Sequence, residues 1–149
     1  MKLEFTEEQK FTQWWLWLIM LAVFSIPVYD FVVVDFSQAL KSSPLILLVI
    51  LFYAFKLKTR INDKGIRMTY FSYLGKFKDW SEIKSVKVID YGFVGGWGVR
   101  LWTKFGTVYN IRGSKGLVVE LNSGTAFIIG TQQEEELKTF FKKLGKISE

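Results

Sequence analysis

Two long apolar runs dominate the first third of the chain, where polar and hydrophobic positions do not alternate. The first run, residues 11–29, contains no charged residue. At about 1.5 Å per residue, a helix of that length spans about 28 Å, close to the roughly 30 Å hydrocarbon core of a bilayer. A buried helix of a soluble protein would normally show a polar stripe. A signal peptide would follow a basic segment rather than one with Glu4, Glu7 and Glu8. The run therefore predicts a transmembrane helix.

The second apolar run, residues 42–55, is also uncharged but shorter. Its length fits a re-entrant or buried segment as well as a span. Lys41 and Lys56 flank it and could extend their ammonium groups to the interfaces, which lengthens the usable stretch. Pro44 suits the first turn of a helix, where its missing N–H is not needed. The two runs together predict an N-terminal transmembrane helical hairpin over residues 1–58.

The distribution of charge around the two runs predicts an orientation. Asp30 and Asp35 lie between the runs, and several basic residues follow the second one closely. Cytoplasmic flanks of membrane helices carry an excess of Lys and Arg, so both termini are expected in the cytoplasm. An alternative role for Asp30 and Asp35 is proton transfer in a membrane enzyme or transport subunit. The basic residues are Lys56, Lys58, Arg60, Lys64 and Arg67.

The remaining residues show the short alternating segments of β-strands, separated by Gly, Asn and Ser. A glycine-rich stretch between the third and fourth segments leads into a strand and lacks the spacing of a dinucleotide fingerprint. This pattern predicts a cytoplasmic β domain over residues 59–149. The seven predicted strands are residues 65–72, 76–80, 83–91, 99–103, 106–112, 115–121 and 125–130.

A C-terminal amphipathic helix closes the chain. Leu137, Phe140, Phe141 and Leu144 recur at spacings of three and four, which places them on one face. Thr131 and Glu134 have the spacing of a capping box. The predicted fold class is therefore an α+β membrane protein, in which two transmembrane helices precede a seven-stranded β-barrel or sandwich capped by this helix.

Composition narrows the possible chemistry. The chain has no Cys and no His, so it lacks a disulfide framework, a thiolate and the commonest general base and metal ligand. Its net charge of +6 favours acidic partners. For a tethered domain those are acidic lipid headgroups rather than nucleic acid. No set of residues forms a catalytic constellation, and neither an enzymatic activity nor a cofactor or metal is predicted.

Three segments carry a resemblance to a known family: residues 78–83 (KDWSEI), 96–100 (GWGVR) and 124–131 (GTAFIIGT). In these the chain resembles the bacterial pleckstrin-homology-like (PH-like) domains that a helical hairpin tethers to the membrane. The resemblance implies a PH-like barrel at the inner membrane, acting as a scaffold or adaptor for a protein partner or for self-association. In lipid-binding members, basic residues on the first two strands hold headgroup phosphates. The matching residues here are Arg67, Lys76 and Lys78.

Further candidate contacts lie around the glycine-rich stretch. Trp97 and Trp102 could stack on a ligand, but packing in the barrel or at an interface is the favoured interpretation. Arg100 could pair with a carboxylate or face a partner. We therefore take Trp97, Arg100 and Trp102 as candidate partner-binding residues. Asp79 and Glu82 form a close acidic pair, whose loop setting predicts turn chemistry rather than acid/base catalysis.

Overall fold

The structure is a computed structural model that describes residues 3–71, 73–93 and 98–146. The chain divides into two compact units. Residues Phe11–Phe55 form an apolar helical unit, and the residues on either side of it together form a β unit. The class is mixed α and β, with two apolar helices, two sheets and a C-terminal helix.

The helical unit contains two helical stretches. The first comprises α1 (Trp14–Tyr29), which continues as a π-helical turn over Asp30–Val34. The second comprises α2 (Phe36–Ser42) and α3 (Pro44–Ala54). The stretches are 21 and 19 residues long, with mean hydropathies of 2.2 and 1.5. By length and composition, both are able to cross a membrane.

The turn between these stretches is tighter than the sequence predicted. Asp35 is the single residue between the two stretches, and its backbone is extended. Its carboxylate accepts a hydrogen bond from the backbone N–H of Gln38 at 2.9 Å. Asp35 therefore caps a helix that starts at Phe36, whereas the prediction started the second helix near residue 42. Lys41 lies within α2 rather than in a polar loop. The capping carboxylate explains how so short a connection ends one helix and begins the next.

Aromatic side chains join the two stretches at one end of the helical unit. The ring of Phe11 lies 5.4 Å from that of Phe52 and 5.6 Å from that of Phe55, between centroids. Trp17 and Tyr53 meet edge to face at 6.3 Å. The residues before α1 and after α3 are therefore held together, as an antiparallel hairpin requires.

In the described part of the chain, the β unit contains a four-stranded and a five-stranded sheet. The four-stranded sheet has the order β1-β2-β3-β4, with every neighbour antiparallel. The five-stranded sheet has the order β5-β8-β9-β7-β6, in which β9 inserts between β8 and β7 and runs parallel to β7. The strands are β1 (Phe5–Lys10), β2 (Lys56–Ile61), β3 (Gly65–Tyr70), β4 (Leu74–Asp79), β5 (Ile83–Asp90), β6 (Gly98–Thr103), β7 (Gly106–Asn110), β8 (Lys115–Leu121) and β9 (Ala126–Gly130).

Strands occur at all seven predicted places, and the described residues contain two more. These are β1 and β2, which flank the helical unit and pair with each other from Phe5↔Ile61 to Lys10↔Lys56. The expected division at residue 58 had assigned residues 5–10 to the hairpin. Instead they are the edge strand of the four-stranded sheet. Among the described strands, the pairing gives two separate sheets rather than one closed seven-stranded barrel.

The C-terminal helix α4 (Glu134–Leu144) packs its apolar face on the β unit as predicted. Phe141 is fully buried and meets Trp80 edge to face at 6.3 Å, while Phe140 lies 5.9 Å from Phe5. The helix ends at Gly145, whose φ of 65° is the left-handed conformation that glycine adopts without strain. Its aromatic residues thus join the N-terminal strand to the rest of the β unit.

The capping box predicted at the start of α4 is not formed. Gln133 is the N-cap, and the Thr131 hydroxyl donates a hydrogen bond to the Glu7 carboxylate at 2.6 Å. The Gln132 N–H donates to the same carboxylate at 2.7 Å. The Thr131 hydroxyl also accepts a hydrogen bond from the Gln133 N–H at 3.0 Å, so the turn before the helix is held by one local contact and by the Glu7 carboxylate from β1.

Candidate functional site

A basic cleft lies on the outer face of the four-stranded sheet. It encloses about 340 Å³. Along β2, exposed and buried residues alternate, so that Lys58 and Arg60 leave the sheet on the same side while Leu57, Thr59 and Ile61 face the interior. We call this feature the basic cleft. Its lining residues are Glu8, Lys56, Lys58, Arg60, Arg67 and Thr69.

The charges in the basic cleft do not balance. Four cations face one carboxylate, Glu8. Arg60 on β2 and Arg67 on β3 are direct register partners, a like-charge arrangement that destabilises a sheet in the absence of a counter-charge. Glu4 forms an ion pair with Arg60, at 2.8 Å between a carboxylate oxygen and the Arg60 Nε, and compensates part of this charge. The four lining cations exceed Glu8 and Glu4 by two positive charges, and the flanking Lys10, which pairs with Glu8, adds a third.

The cationic environment also affects Glu8. Lys10 forms an ion pair with it at 2.9 Å. This hydrogen bond is the main reason that the pKa of the Glu8 carboxyl lies below its ordinary value, and the charges of Lys10, Lys56 and Lys58 lower it further. Glu8 therefore remains ionised and partly neutralises the cleft at physiological pH.

Neighbouring side chains hold the two guanidinium groups of the cleft. The Arg67 guanidinium carbon lies 5.4 Å from the centroid of the Phe77 ring, within the range of a cation–π contact. Arg60 is held by Glu4, as described above. Planar guanidinium groups fixed in this way suit carboxylate and phosphate oxygens, which they can bind in pairs.

The structure does not assemble the three predicted lipid-binding residues on one face. Arg67 lies on the outer face of its sheet opposite Phe77. Lys76 is the register partner of the buried Met68, and Lys78 is the partner of the buried Ile66, so both occupy inward-facing register positions. Arg67 therefore belongs to the basic cleft, and the two lysines do not.

Both lysines have partners within the β unit. The Lys76 ammonium donates a hydrogen bond to the Tyr109 hydroxyl at 2.8 Å, which is the main reason that its pKa is raised. Lys78 pairs with Glu82 at 2.8 Å. A second, shallow cleft of about 360 Å³ lies at the β3–β4 edge, and both Lys76 and Arg67 are among the residues that line it.

An apolar edge is the second distinctive surface. Strand β6 is the last strand of the five-stranded sheet, and Val99, Leu101 and Trp102 on it are 40%, 54% and 94% exposed. The register with β7 shifts between Arg100 and Thr103, and Trp102 has a φ of 56°. A bulky residue in this left-handed conformation costs about 1–3 kcal/mol. We call Val99, Leu101 and Trp102 the β6 edge.

The three predicted partner-binding residues have different positions. Trp102 is the most exposed residue of the β6 edge. Arg100 faces the same side of the sheet as Val108, and its Nε is buried without a hydrogen-bond partner in the described part of the chain. Trp97, the third predicted contact, lies outside the described residues.

The acidic residues considered for chemistry have structural roles. Asp79 and Glu82 form a capping box around a short 3₁₀ turn: the Ser81 N–H donates to Asp79 at 2.9 Å and the Asp79 N–H to Glu82 at 3.2 Å. This confirms the predicted turn chemistry. Asp35 caps α2, and Asp30 lies in the π-helical turn.

Sequence reasoning missed the basic cleft although the signal was present. Residues 56–61 read KLKTRI, a strict alternation of basic and less polar residues that is typical of an amphipathic strand. The sequence analysis uses these basic residues only to predict the cytoplasmic flank of the second apolar run. In the structure they lie on β2, which begins directly after Phe55.

No protein-family model matches the chain, and no curated protein matches it significantly.

Proposed function

We propose that this protein is a membrane-anchored, non-enzymatic PH-like module that holds a protein partner at the cytoplasmic face of the bacterial inner membrane. The two apolar stretches act as the anchor, and the β unit presents the binding surface. Support for the orientation comes from Lys56, Lys58 and Arg60, which follow the second stretch directly, and from Asp30 and Asp35 near the connection between the stretches.

The β6 edge is the observation that carries this proposal. An edge strand presents N–H and C=O groups that a partner strand can pair with, and soluble proteins usually protect such edges with charged residues or with bulges. Strand β6 has a register shift between Arg100 and Thr103, but the side chains that this shift leaves exposed are the apolar Leu101 and Trp102 rather than charged residues. Tryptophan is among the residues most enriched at the energetic centres of protein interfaces. A strained and exposed Trp102 therefore suits partner recognition better than it suits folding.

A comparison of two exposed aromatic residues tests the proposal. In cells that express the full chain, membranes are cross-linked and the protein is captured with its bound partners. Trp102→Ser should reduce the recovered partner about tenfold or more, because a central tryptophan contributes about 2 kcal/mol or more. Tyr73→Ser removes a side chain of similar exposure, 93%, from the β3–β4 turn and serves as the matched control.

Two outcomes contradict the proposal. One is equal partner recovery from wild type and Trp102→Ser. The other is an equal loss from both variants, which would indicate a general effect of surface aromatic residues. The orientation is tested separately with a single cysteine at Lys142, since the natural chain has none. In intact cells, Lys142→Cys should resist a membrane-impermeant thiol reagent, and labelling there would place the β unit outside.

A further inference from the structure

We propose that the basic cleft binds a phosphate group, with Lys58, Arg60 and Arg67 as its principal cations and the Thr69 hydroxyl as an additional donor. This site is independent of the β6 edge, which belongs to the other sheet. The phosphate can belong to an acidic lipid headgroup or to a dissolved phosphate compound. Both sources present the same oxygens to the cleft.

The register of the strands gathers these donors at one place. Arg60 is opposite Arg67, and Lys58 is opposite Thr69. Residues two apart on a strand are about 6.6 Å apart, and adjacent strands lie about 4.8 Å apart. The Cα atoms of the four residues therefore fall within about 8 Å of one another, and their longer side chains can converge on one group. The cleft of about 340 Å³ leaves room for a phosphate together with the group that carries it.

The charge pattern of the basic cleft indicates that its cations bind an anion rather than being solvated by water alone. An ordinary exposed sheet face mixes charges of both signs and avoids like charges at opposed positions. On this outer face Glu8 is opposite Lys58 and Glu4 pairs with Arg60, but Arg67 lies directly beside Arg60 and has no ion-pair partner among the described residues. A bound dianion or phosphodiester would supply the missing counter-charge. It would also turn an unfavourable Arg60–Arg67 pair into two charge-assisted donors.

Preorganisation distinguishes this cleft from a loose cluster of lysines. Arg67 is held against the Phe77 ring at 5.4 Å, and Arg60 is held by Glu4 at 2.8 Å. Because these guanidinium groups are already oriented, binding a phosphate costs less side-chain entropy than it would with free side chains. Thr69 adds a neutral donor, which favours an oxyanion over diffuse acidic attraction.

The residues of the basic cleft begin directly after the helical unit in the sequence. Lys56 follows the helical unit directly, and Lys10 precedes it. Lys56 and Lys10 are register partners at the start of the β1–β2 ladder. Arg60 is four residues further along β2, about 13 Å at most from that end. This short separation in sequence from the proposed anchor is the reason that a lipid headgroup is included among the possible sources of the phosphate.

The test uses the full-length protein in detergent and two probes. Native mass spectrometry compares the binding of added phosphatidylglycerol with that of phosphatidylcholine. Thermal unfolding compares inorganic phosphate with chloride at matched ionic strength. The test variant is Arg60→Gln/Arg67→Gln. The control is Lys142→Gln/Lys143→Gln, which removes the same two charges from exposed positions on α4.

We expect the cleft variant to bind at least one probe about tenfold or more weakly than wild type, because charge-assisted hydrogen bonds are lost. The control should bind as wild type does. A loss confined to phosphatidylglycerol identifies a lipid headgroup, and a loss confined to inorganic phosphate identifies a dissolved compound. The proposal is overturned if wild type binds neither probe, if the cleft variant binds as wild type does, or if the control loses as much. None of these results depends on the Trp102 experiment, so the two proposals can fail separately.

Discussion

The two sheets of the β unit differ in what they bury. The five-stranded sheet places apolar side chains inside, and Val108, Val119 and Ile128 are fully buried. The inward residues of the four-stranded sheet include Glu7 and Thr59, both almost completely buried. The five-stranded sheet is therefore stabilised mainly by the hydrophobic effect. The four-stranded sheet also buries apolar residues, but its edge strand β1 depends in addition on the hydrogen bonds that Glu7 accepts.

The sheets also differ in what they expose. The four-stranded sheet presents cations in the basic cleft, and the five-stranded sheet presents the apolar β6 edge. Charged surfaces attract from a distance and respond to salt, while apolar edges require close fit. One small β unit thus has two surfaces with different chemistry. The interior is expected to differ likewise, with apolar packing in the five-stranded sheet and buried polar groups in the four-stranded sheet.

The largest effect is expected in the apolar interior. Ile128→Ala should lower the free energy of unfolding by about 2–5 kcal/mol, because it removes a buried side chain and leaves a cavity. The measurement is guanidinium unfolding of the full chain in detergent, followed by near-ultraviolet circular dichroism. Leu101→Ala, at an exposed position of the β6 edge, should change the same free energy by less than about 0.5 kcal/mol. Similar values for the two variants would contradict the assignment of the core.

The next effect is expected in the polar interior. The Glu7 carboxylate accepts hydrogen bonds from the Thr131 hydroxyl and the Gln132 N–H, and Glu7→Ala removes both bonds. The free energy of unfolding should fall by about 1–3 kcal/mol. Hydrogen exchange should accelerate in β1 and at the start of α4. Exposed Glu8→Ala, one position along the same strand, is the control. Unchanged protection in β1 would show that the carboxylate does not hold this strand.

A gain in stability is expected at Thr59. Its hydroxyl is buried without a hydrogen-bond partner in the described residues, so Thr59→Val should raise the free energy of unfolding by about 1 kcal/mol. The same change at Thr69, on the outer face of the next strand, should have little effect on stability. A loss of stability in Thr59→Val would mean that the hydroxyl makes a useful bond, for example to water.

The smallest effect concerns pH and the surface of α4. Lys115 and Lys138 donate hydrogen bonds to Glu134, which hold the pKa of its carboxyl below the ordinary value of 4.5. A lowered folded-state pKa stabilises the fold above the unfolded value, and this contribution is lost as the pH falls through the folded value. Glu134→Gln should therefore be less stable than wild type near neutral pH. The difference should shrink below about pH 4.5. A difference independent of pH would contradict this origin.

Much of the secondary structure was predictable because its signals are local. The strands β3 to β9 follow alternation and turn residues, and α4 follows the spacing of Leu137, Phe140 and Phe141. Strand β1 was missed because Glu7 and Gln9 occupy inward positions, so its pattern shows no apolar face. In the candidate site, the sequence predicts Arg67 as a binding residue. Its neighbours Lys58 and Arg60 enter the sequence analysis only as part of the basic segment after the second apolar run.

The sequence alone determined the two apolar stretches, the positions of seven strands and the amphipathic helix, since each depends on residues near one another in the chain. The tertiary structure decided three further points: that residues before and after the helical unit pair as β1 and β2, that Glu7 meets Thr131, and that Arg60 lies beside Arg67. These contacts join segments separated by other elements. Their formation depends on strand register and on the satisfaction of buried polar groups, which local patterns do not encode.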